Sequence, residues 1–315
     1  MMHKRYIYIW YIGLTVLSVL AAADLLWGGS AGAGAGAAVL WRLRAPRVVT
    51  AMLAGAALSL AGAQMQSILR NPLADPHIMG VSSGASLGAA LATMWGGSLG
   101  GMAQGLSLTA ASFAGALISA LIILAVSERF RSATTLLIFG VMLGFIVNAI
   151  VSILQFSSDA ESLKIFYSWS AGSFSNTSWQ QTGVIAAAAL IGFLMAFRGR
   201  KGLDIILFGD EYAAMAGADT GKIRLKAILS CCIMTAAVTA FCGPLGFVGI
   251  TAPHIARALT GTSSHARILP SCMLTGAGIS LTADLISQLS PTPLPAAATM
   301  ALVGIPVILY ILLKK

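Results

Sequence analysis

Apolar residues fill almost every window of this chain, and polar residues gather at intervals between the apolar runs. About 20 consecutive apolar residues cross a bilayer as a helix. Runs of that kind fall at 6–26, 46–69, 78–95, 106–126, 134–156, 179–197, 227–243, 246–260, 267–289 and 295–313. They predict an all-α integral membrane protein with about ten transmembrane helices. The eighth run is short, and only Gly243-Pro244-Leu245-Gly246 parts it from the seventh, so nine is the other count. The first run imitates a signal peptide, with Lys4 and Arg5 before it and Ala21-Ala22-Ala23 near its end. It continues to Leu26 with Asp24 as its one charge, and reads better as a retained helix.

The longest polar interruption spans about 198–226. At its centre Leu207 to Asp219 reads as a short helix, with Asp210 capping its start, acids in the first turn and Gly217 ending it. A small ordered loop of this kind either touches a partner or simply connects two spans, and the segment alone leaves both open. Gly28 to Gly36 and Gly96 to Gly101 read as flexible outer loops. The first has G-x-G spacing but follows a membrane helix rather than a strand, so it is no nucleotide fingerprint. Ser162 to Ser175, with Ile165, Phe166, Trp169 and Phe174, reads as an interfacial helix. Prolines stiffen Arg70-Asn71-Pro72-Leu73-Ala74-Asp75-Pro76-His77. Gly243-Pro244-Leu245 and Pro253-His254-Ile255 echo it faintly, with helix breaks near Pro244 and Pro253, as an inverted repeat would.

Composition places everything in one membrane domain, 1–315. The chain is 57% apolar and 9% charged, where soluble domains carry about 25% charged residues. The net charge of +9 reflects loop residues that orient the chain in the membrane and does not point to nucleic acid. With the N-terminus inside, fifteen of the 19 Lys and Arg fall on the inner side, which puts both termini and the 198–226 loop in the cytoplasm. The outer exceptions are Arg42, Arg44, Arg47 and Lys164. The three arginines either snorkel to headgroups or form a patch for an acidic partner. The four cysteines show no C-x-x-C spacing, which argues against a metal site or disulfide framework.

Chemistry is sparse. Asp284 is the clearest intramembrane acid, and a brace to a neighbouring helix is the favoured role over transport chemistry. His254 suits a structural hydrogen bond, and the 13 Met suit packing. No Ser-His-Asp set, H-E-x-x-H or Walker A motif stands out, so neither an enzyme, a cofactor site nor an ATP site is expected. The string of carboxylates expected of a proton-coupled carrier is missing too. Small residues such as Ala54-Gly55-Ala56-Ala57 and Gly84-Ala85-Ser86-Leu87-Gly88 allow close helix packing.

Several motifs together resemble one family. They are Arg44-Ala45-Pro46-Arg47, Gly55-Ala56-Ala57-Leu58, Gly62-Ala63-Gln64-Met65-Gln66, Asn71-Pro72-Leu73-Ala74-Asp75-Pro76 and Gly80-Val81-Ser82-Ser83-Gly84-Ala85. Trp169 to Phe174, Gly246 to Gly249, Pro253 to Arg257, Ala283-Asp284 and Gly304-Ile305-Pro306 continue the match over nearly all the chain after residue 40. These resemble the FecCD-type permeases, the membrane subunits of binding-protein-dependent ABC importers for ferric siderophores, haem and cobalamin. The resemblance implies a type II importer permease bundle of ten helices with inverted-repeat halves, working in the bacterial inner membrane. It implies two ATPase subunits, a periplasmic or lipid-anchored substrate-binding protein and a second permease subunit, most simply an identical one. Gly209, Asp210, Glu211, Ala213, Ala214 and Gly217 match the ATPase-coupling motif, though Tyr212 departs from its usual small residue. Asn71 and Leu73 match one cytoplasmic gate, and Ser132 and Thr134 a second. Arg44 and Arg47 match arginines that meet glutamates of the binding protein; Gln288 stands where some members carry a further basic residue, and Arg42 is a candidate to compensate. An iron chelate is the expected cargo, with cobalamin the alternative. An ion-coupled secondary transporter is the remaining reading.

Overall fold

A computed structural model describes residues 2–27, 37–95, 101–129, 132–290 and 292–313. The glycine run 28–36, most of the 96–101 loop, Arg131 and the terminal Lys314 and Lys315 lie outside the described residues. Twelve helices are described: α1 Met2–Trp27, α2 Ala37–Leu69, α3 Val81–Met94, α4 Gly101–Arg129, α5 Ala133–Phe156, α6 Ala160–Ser170, α7 Trp179–Ile206, α8 Asp210–Met215, α9 Thr220–Cys242, α10 Val248–Thr260, α11 His265–Ser287 and α12 Ala296–Leu313. Ten of them answer to the ten apolar runs. The other two are the interfacial helix, α6, and the short helix of the 198–226 loop, α8. Asp159 starts α6 by accepting from the N–H groups of Glu161 and Ser162, both at 3.0 Å.

Three boundaries differ instructively. The second span starts at Ala37 rather than 46, because Leu40–Arg44 form a π-turn that runs straight into the long helix. Arg42, Arg44 and Arg47 therefore stand on a helix and not in a loop. The seventh and eighth spans are separate, since Gly243 at φ 77° and Phe247 at φ 69° break the chain between α9 and α10. Pro253, expected at a break, lies inside α10. Its missing N–H frees the Gly249 carbonyl, and the Gln66 side chain of α2 donates to that oxygen at 3.2 Å.

The helix α2 is the axis of the packing. Every residue from Ala54 to Leu69 is buried, as expected of a helix apolar on all sides. It meets two neighbours nearly backbone to backbone. A Cβ on Gly55 would lie 2.2 Å from the Gly276 carbonyl oxygen of α11, and one on Gly62 would lie 1.9 Å from that of Gly249 in α10. Small residues thus set the interhelical distance, and dispersion contacts replace a hydrophobic driving force that lipid cannot supply.

The short helices α3 and α10 have 14 and 13 residues, about 20 Å each at 1.5 Å per residue. Neither spans a hydrocarbon core of about 30 Å alone. The first copy of the faint sequence echo precedes α3, while the second is split, with Gly243-Pro244-Leu245 before α10 and Pro253-His254-Ile255 within it. The two copies touch: the His77 ring joins the Leu245 carbonyl through Nε2 and Ser82 through Nδ1. The Leu245 carbonyl freed by the second break is therefore satisfied inside the protein.

Candidate partner and gate sites

The C-terminal ends of α2, α7 and α10 and the N-terminal ends of α9 and α11 meet at one end of the bundle, the basic end. There Arg257 bonds Gln66, His265 bonds Ser67 and Asp204, and Arg224 bonds Asp210 at the start of α8. At the far end two of the three outlying arginines, Arg44 and Arg47, are committed to the fold. Arg47 makes a two-pronged ion pair with Asp284 of α11, Nε to Oδ2 and Nη2 to Oδ1, both 2.7 Å. The pair is sequestered, with side-chain exposures of 15% and 1%. Asp284 is the brace the sequence favours. Arg44 is buried and donates to the Leu25 and Leu26 carbonyls at 3.0 and 3.3 Å, closing the open C-terminal end of α1. Arg42 is exposed. Gln288 is not a surface residue. It is buried and donates to both Asp24 and Asp284, so a second buried carboxylate joins the cluster. Asp24 is legible in the sequence as a lone charge in an apolar run, but its partner is not.

At the basic end, α8 projects from the bundle. Of its six residues only Ala213 is buried. Glu211, Ala214 and Gly217 are exposed, and so are Phe208 at 73%, Tyr212 at 53% and Met215 at 82%. The Phe208 and Tyr212 rings pack at 5.3 Å between centroids, tilted by 49°. Aromatic residues and methionine are enriched at protein interfaces relative to the rest of the surface. Phe208 and Met215 match no motif and are absent from the sequence-based set, although three large apolar side chains in a polar loop are signal enough.

Asp210 does not cap α8. Gly209, at φ 108°, holds the N-cap position with no side-chain bond, and Asp210 is the first helical residue. Both its oxygens accept from Arg224 of α9 at 2.6 Å, because a charge-assisted bond to a buried guanidinium outweighs a neutral backbone donor. Arg70, at the end of α2, lies on its other side at 3.8 Å. Gly217 does end the helix. At φ 76° it donates to Ala214, while Ala218 donates to Ala213, at 3.0 and 2.9 Å, the paired bonds of a Schellman turn. Asp219 caps α9 through Lys222, whose backbone N–H and ammonium, each 3.0 Å away, hold its carboxyl below the usual carboxylate range.

The first candidate gate pair, Asn71 and Leu73, sits in a turn held by two hydrogen bonds. Asn71 accepts from the Leu73 N–H at 2.9 Å, and His254 of α10 meets the Pro72 carbonyl at 2.9 Å, a structural role for that histidine. Leu73 remains 46% exposed. Ser132 caps α5 through the Thr135 N–H at 3.4 Å, and Ser132 and Thr134 are exposed. No hydrogen bond joins the two pairs among the described residues.

One constellation is invisible in the sequence. Ser67 of α2, His265 of α11 and Asp204 of α7 form a chain, Oγ to Nε2 at 2.6 Å and Nδ1 to Oδ1 at 2.7 Å. The residues are 198 and 61 positions apart, which hides them from any motif search. The geometry resembles a hydrolytic triad, but Ser67 is buried and its hydroxyl also donates to the Ala63 carbonyl at 2.8 Å. It braces three helices and presents no nucleophile.

Comparison with known proteins defines the class first. The profile of the FecCD transport family matches residues 6–314, so the chain belongs to the FecCD transport family and is a multi-pass membrane permease of the ABC importer kind. Among particular relatives, the vitamin B12 import system permease protein BtuC of Citrobacter koseri is 34% identical, over 97% of this chain and 94% of that protein. BtuC of Salmonella typhi is 34% identical over 96% and 91%. A solved metal-chelate type ABC transporter in an inward-facing conformation superposes with a TM-score of 0.88 at 29% identity, covering 98% of this chain and 99% of that one. PsaBC from Streptococcus pneumoniae, solved with a Fab, shares the fold at a TM-score of 0.50 and 15% identity over 85% and 90%.

Proposed function

We propose that this chain is the membrane-spanning subunit of an ABC importer that carries a corrinoid such as cobalamin into the cell. The observation that carries the reading is near full-length similarity to vitamin B12 permeases. The family resemblance alone favours an iron chelate, and the relatives move cobalamin ahead of it. The likeness to a metal-chelate transporter keeps ferric siderophores and haem as the second reading. In this reading ATP is hydrolysed by two copies of a separate ATPase, a substrate-binding protein delivers cargo at the far end, and two permease chains, most simply identical, enclose the pathway.

Coupling falls to α8, with Gly209, Asp210, Glu211, Ala213, Ala214 and Gly217 forming its seat on the ATPase. Its exposed aromatic patch and its single buried anchor support that role. Asn71, Leu73, Ser132 and Thr134 line the cytoplasmic gates. Arg44 and Arg47 stand nearest the binding protein, and any carboxylate that meets Arg47 shares it with Asp284. ATP closure need shift the balance of outward-open and inward-open bundles by only a few kcal/mol to drive the cycle. No intramembrane ion site is required, which separates this reading from a secondary transporter.

The test is uptake by proteoliposomes holding the chain with its own ATPase and binding protein. Labelled cyanocobalamin should enter only with ATP and binding protein present. Uptake of a ferric siderophore or haem, with cobalamin excluded, would move the cargo to the second reading. Uptake driven by an ion gradient without the ATPase would end the importer reading.

We also propose that both termini and α8 face the cytoplasm, from the fifteen-of-19 distribution of basic residues. The four native cysteines are buried, which keeps background labelling low. Asp219→Cys and Lys315→Cys should stay unlabelled by an impermeant maleimide in intact spheroplasts and react after lysis. Reaction of either one in intact spheroplasts reverses the orientation.

A further inference from the structure

The last turns of α2 form a hub at the basic end. Gln64 donates to Ser230 of α9 at 3.0 Å, Gln66 is bonded to Gly249 and Arg257 of α10, and Ser67 to His265 of α11. The loop just beyond is pinned by His254 to the Pro72 carbonyl. All of these ties run inward, to helices of the bundle.

Arg70 is different. Its guanidinium reaches outward to α8, where Nη2 lies 3.8 Å from Asp210 Oδ2 and Nη1 would lie 3.2 Å from a Cβ on Gly209. Asp210 is in turn clasped by Arg224 of α9. The carboxylate at the start of α8 therefore sits between two arginines. One is rooted in a long buried helix, and the other immediately precedes Asn71-Pro72-Leu73. The Arg70–Asp210 contact is half-exposed and long, with side-chain exposures of 46% and 34%. Such a pair adds little to static stability, yet it can tighten or part under a small displacement. Arg70 also adopts the left-handed conformation, φ 48° and ψ 36°, at the end of α2. Glycine suits that position better than any side chain, so backbone geometry does not explain the arginine there.

We infer that Arg70 is the positioning residue that transmits movement of α8 to the Asn71–Leu73 gate. The inference rests on α8 being the ATPase-coupling element. Displacement of α8 carries Asp210 with it, Asp210 draws the Arg70 guanidinium, and the covalently adjacent gate loop follows.

Arg70→Gly is the decisive variant. It removes the side chain and keeps a residue suited to the left-handed cap, so the end of α2 stays formed. In the reconstituted complex it should leave assembly, thermal midpoint, binding-protein docking and basal ATP hydrolysis unchanged. Cargo moved per ATP hydrolysed should fall by about tenfold, the size of an ordinary coupling between sites. Arg70→Lys should recover much of that ratio, since it restores the charge. The inference is overturned if Arg70→Gly transports with a wild-type ratio. Should the glycine variant not assemble, Arg70→Gln decides the question by the same ratio. A bulky substitution at Gly217 serves as the control. If that change uncouples the complex and Arg70→Gly does not, only the transmission role fails. If neither uncouples it, the coupling role of α8 fails as well.

Discussion

Replacing Arg47 by alanine should cost the protein about 3–5 kcal/mol, the usual penalty for removing one member of a buried ion pair. The reason is what stays behind. Asp284 is 1% exposed, and without Arg47 it keeps only the Ser287 hydroxyl at 3.4 Å, the Gln288 amide at 3.3 Å and its own helix. Asp24 stands on the same Gln288 amide, so two carboxylates would share a buried site with no guanidinium between them. The double change Arg47→Met with Asp284→Leu replaces both charges by apolar side chains and should restore most of the loss. Thermal unfolding of the purified complex in one detergent measures all three proteins. Wild-type stability in Arg47→Ala would sink the brace. The double variant then isolates docking, because it is folded but lacks the arginine. If Arg47 also meets the binding protein, the double variant should associate more slowly, most visibly at low salt, where charge steers encounter.

The contrast between Arg47 and α8 shows what a sequence of this kind carries. The ten apolar helices are legible as apolar runs, and among the described residues six of them are long and apolar enough to meet the demand of about 20 residues that a bilayer makes of a crossing helix. Their ends are less so. The sixth apolar run stops at residue 197, but α7 continues to Ile206, and α9 begins at Thr220 rather than 227. Apolarity reports where lipid is, whereas the backbone goes on forming helix through charged residues in the headgroup region. Gly217 and the turn it makes are legible, since its role depends on local φ alone. Asp210 misleads for the opposite reason. Its capping position is local, but its true partner, Arg224, is fixed by how α9 packs beside the loop. The same holds for Asp284 and Arg47, 237 residues apart. An intramembrane acid announces that it needs a partner; only the packing of α2 against α11 names it.

Gly217→Trp should disconnect the ATPase. Gly217 donates to Ala214 from a φ of 76°, and the turn it closes is all that ends the six-residue α8. A tryptophan in that conformation adds roughly 1–2 kcal/mol of backbone strain. The position is exposed, and no atom of this chain beyond the chain neighbours lies within 4 Å of a Cβ placed there. The added bulk is therefore directed chiefly at the partner that covers α8. Gly217→Asn separates the two effects, because asparagine tolerates the left-handed region and adds little bulk. If α8 seats in the ATPase, the tryptophan variant should lose the ATPase on purification or keep it without stimulation, and transport should drop to background. The asparagine variant should retain most of both. Binding-protein docking at the far end should persist in each. In the tryptophan variant it should no longer change nucleotide affinity, because coupling between sites is reciprocal in free energy. ATPase rate and nucleotide affinity, measured with and without binding protein, decide the matter. Unchanged stimulation and transport in Gly217→Trp would mean that α8 is an ordinary connection and that the ATPase engages the permease elsewhere.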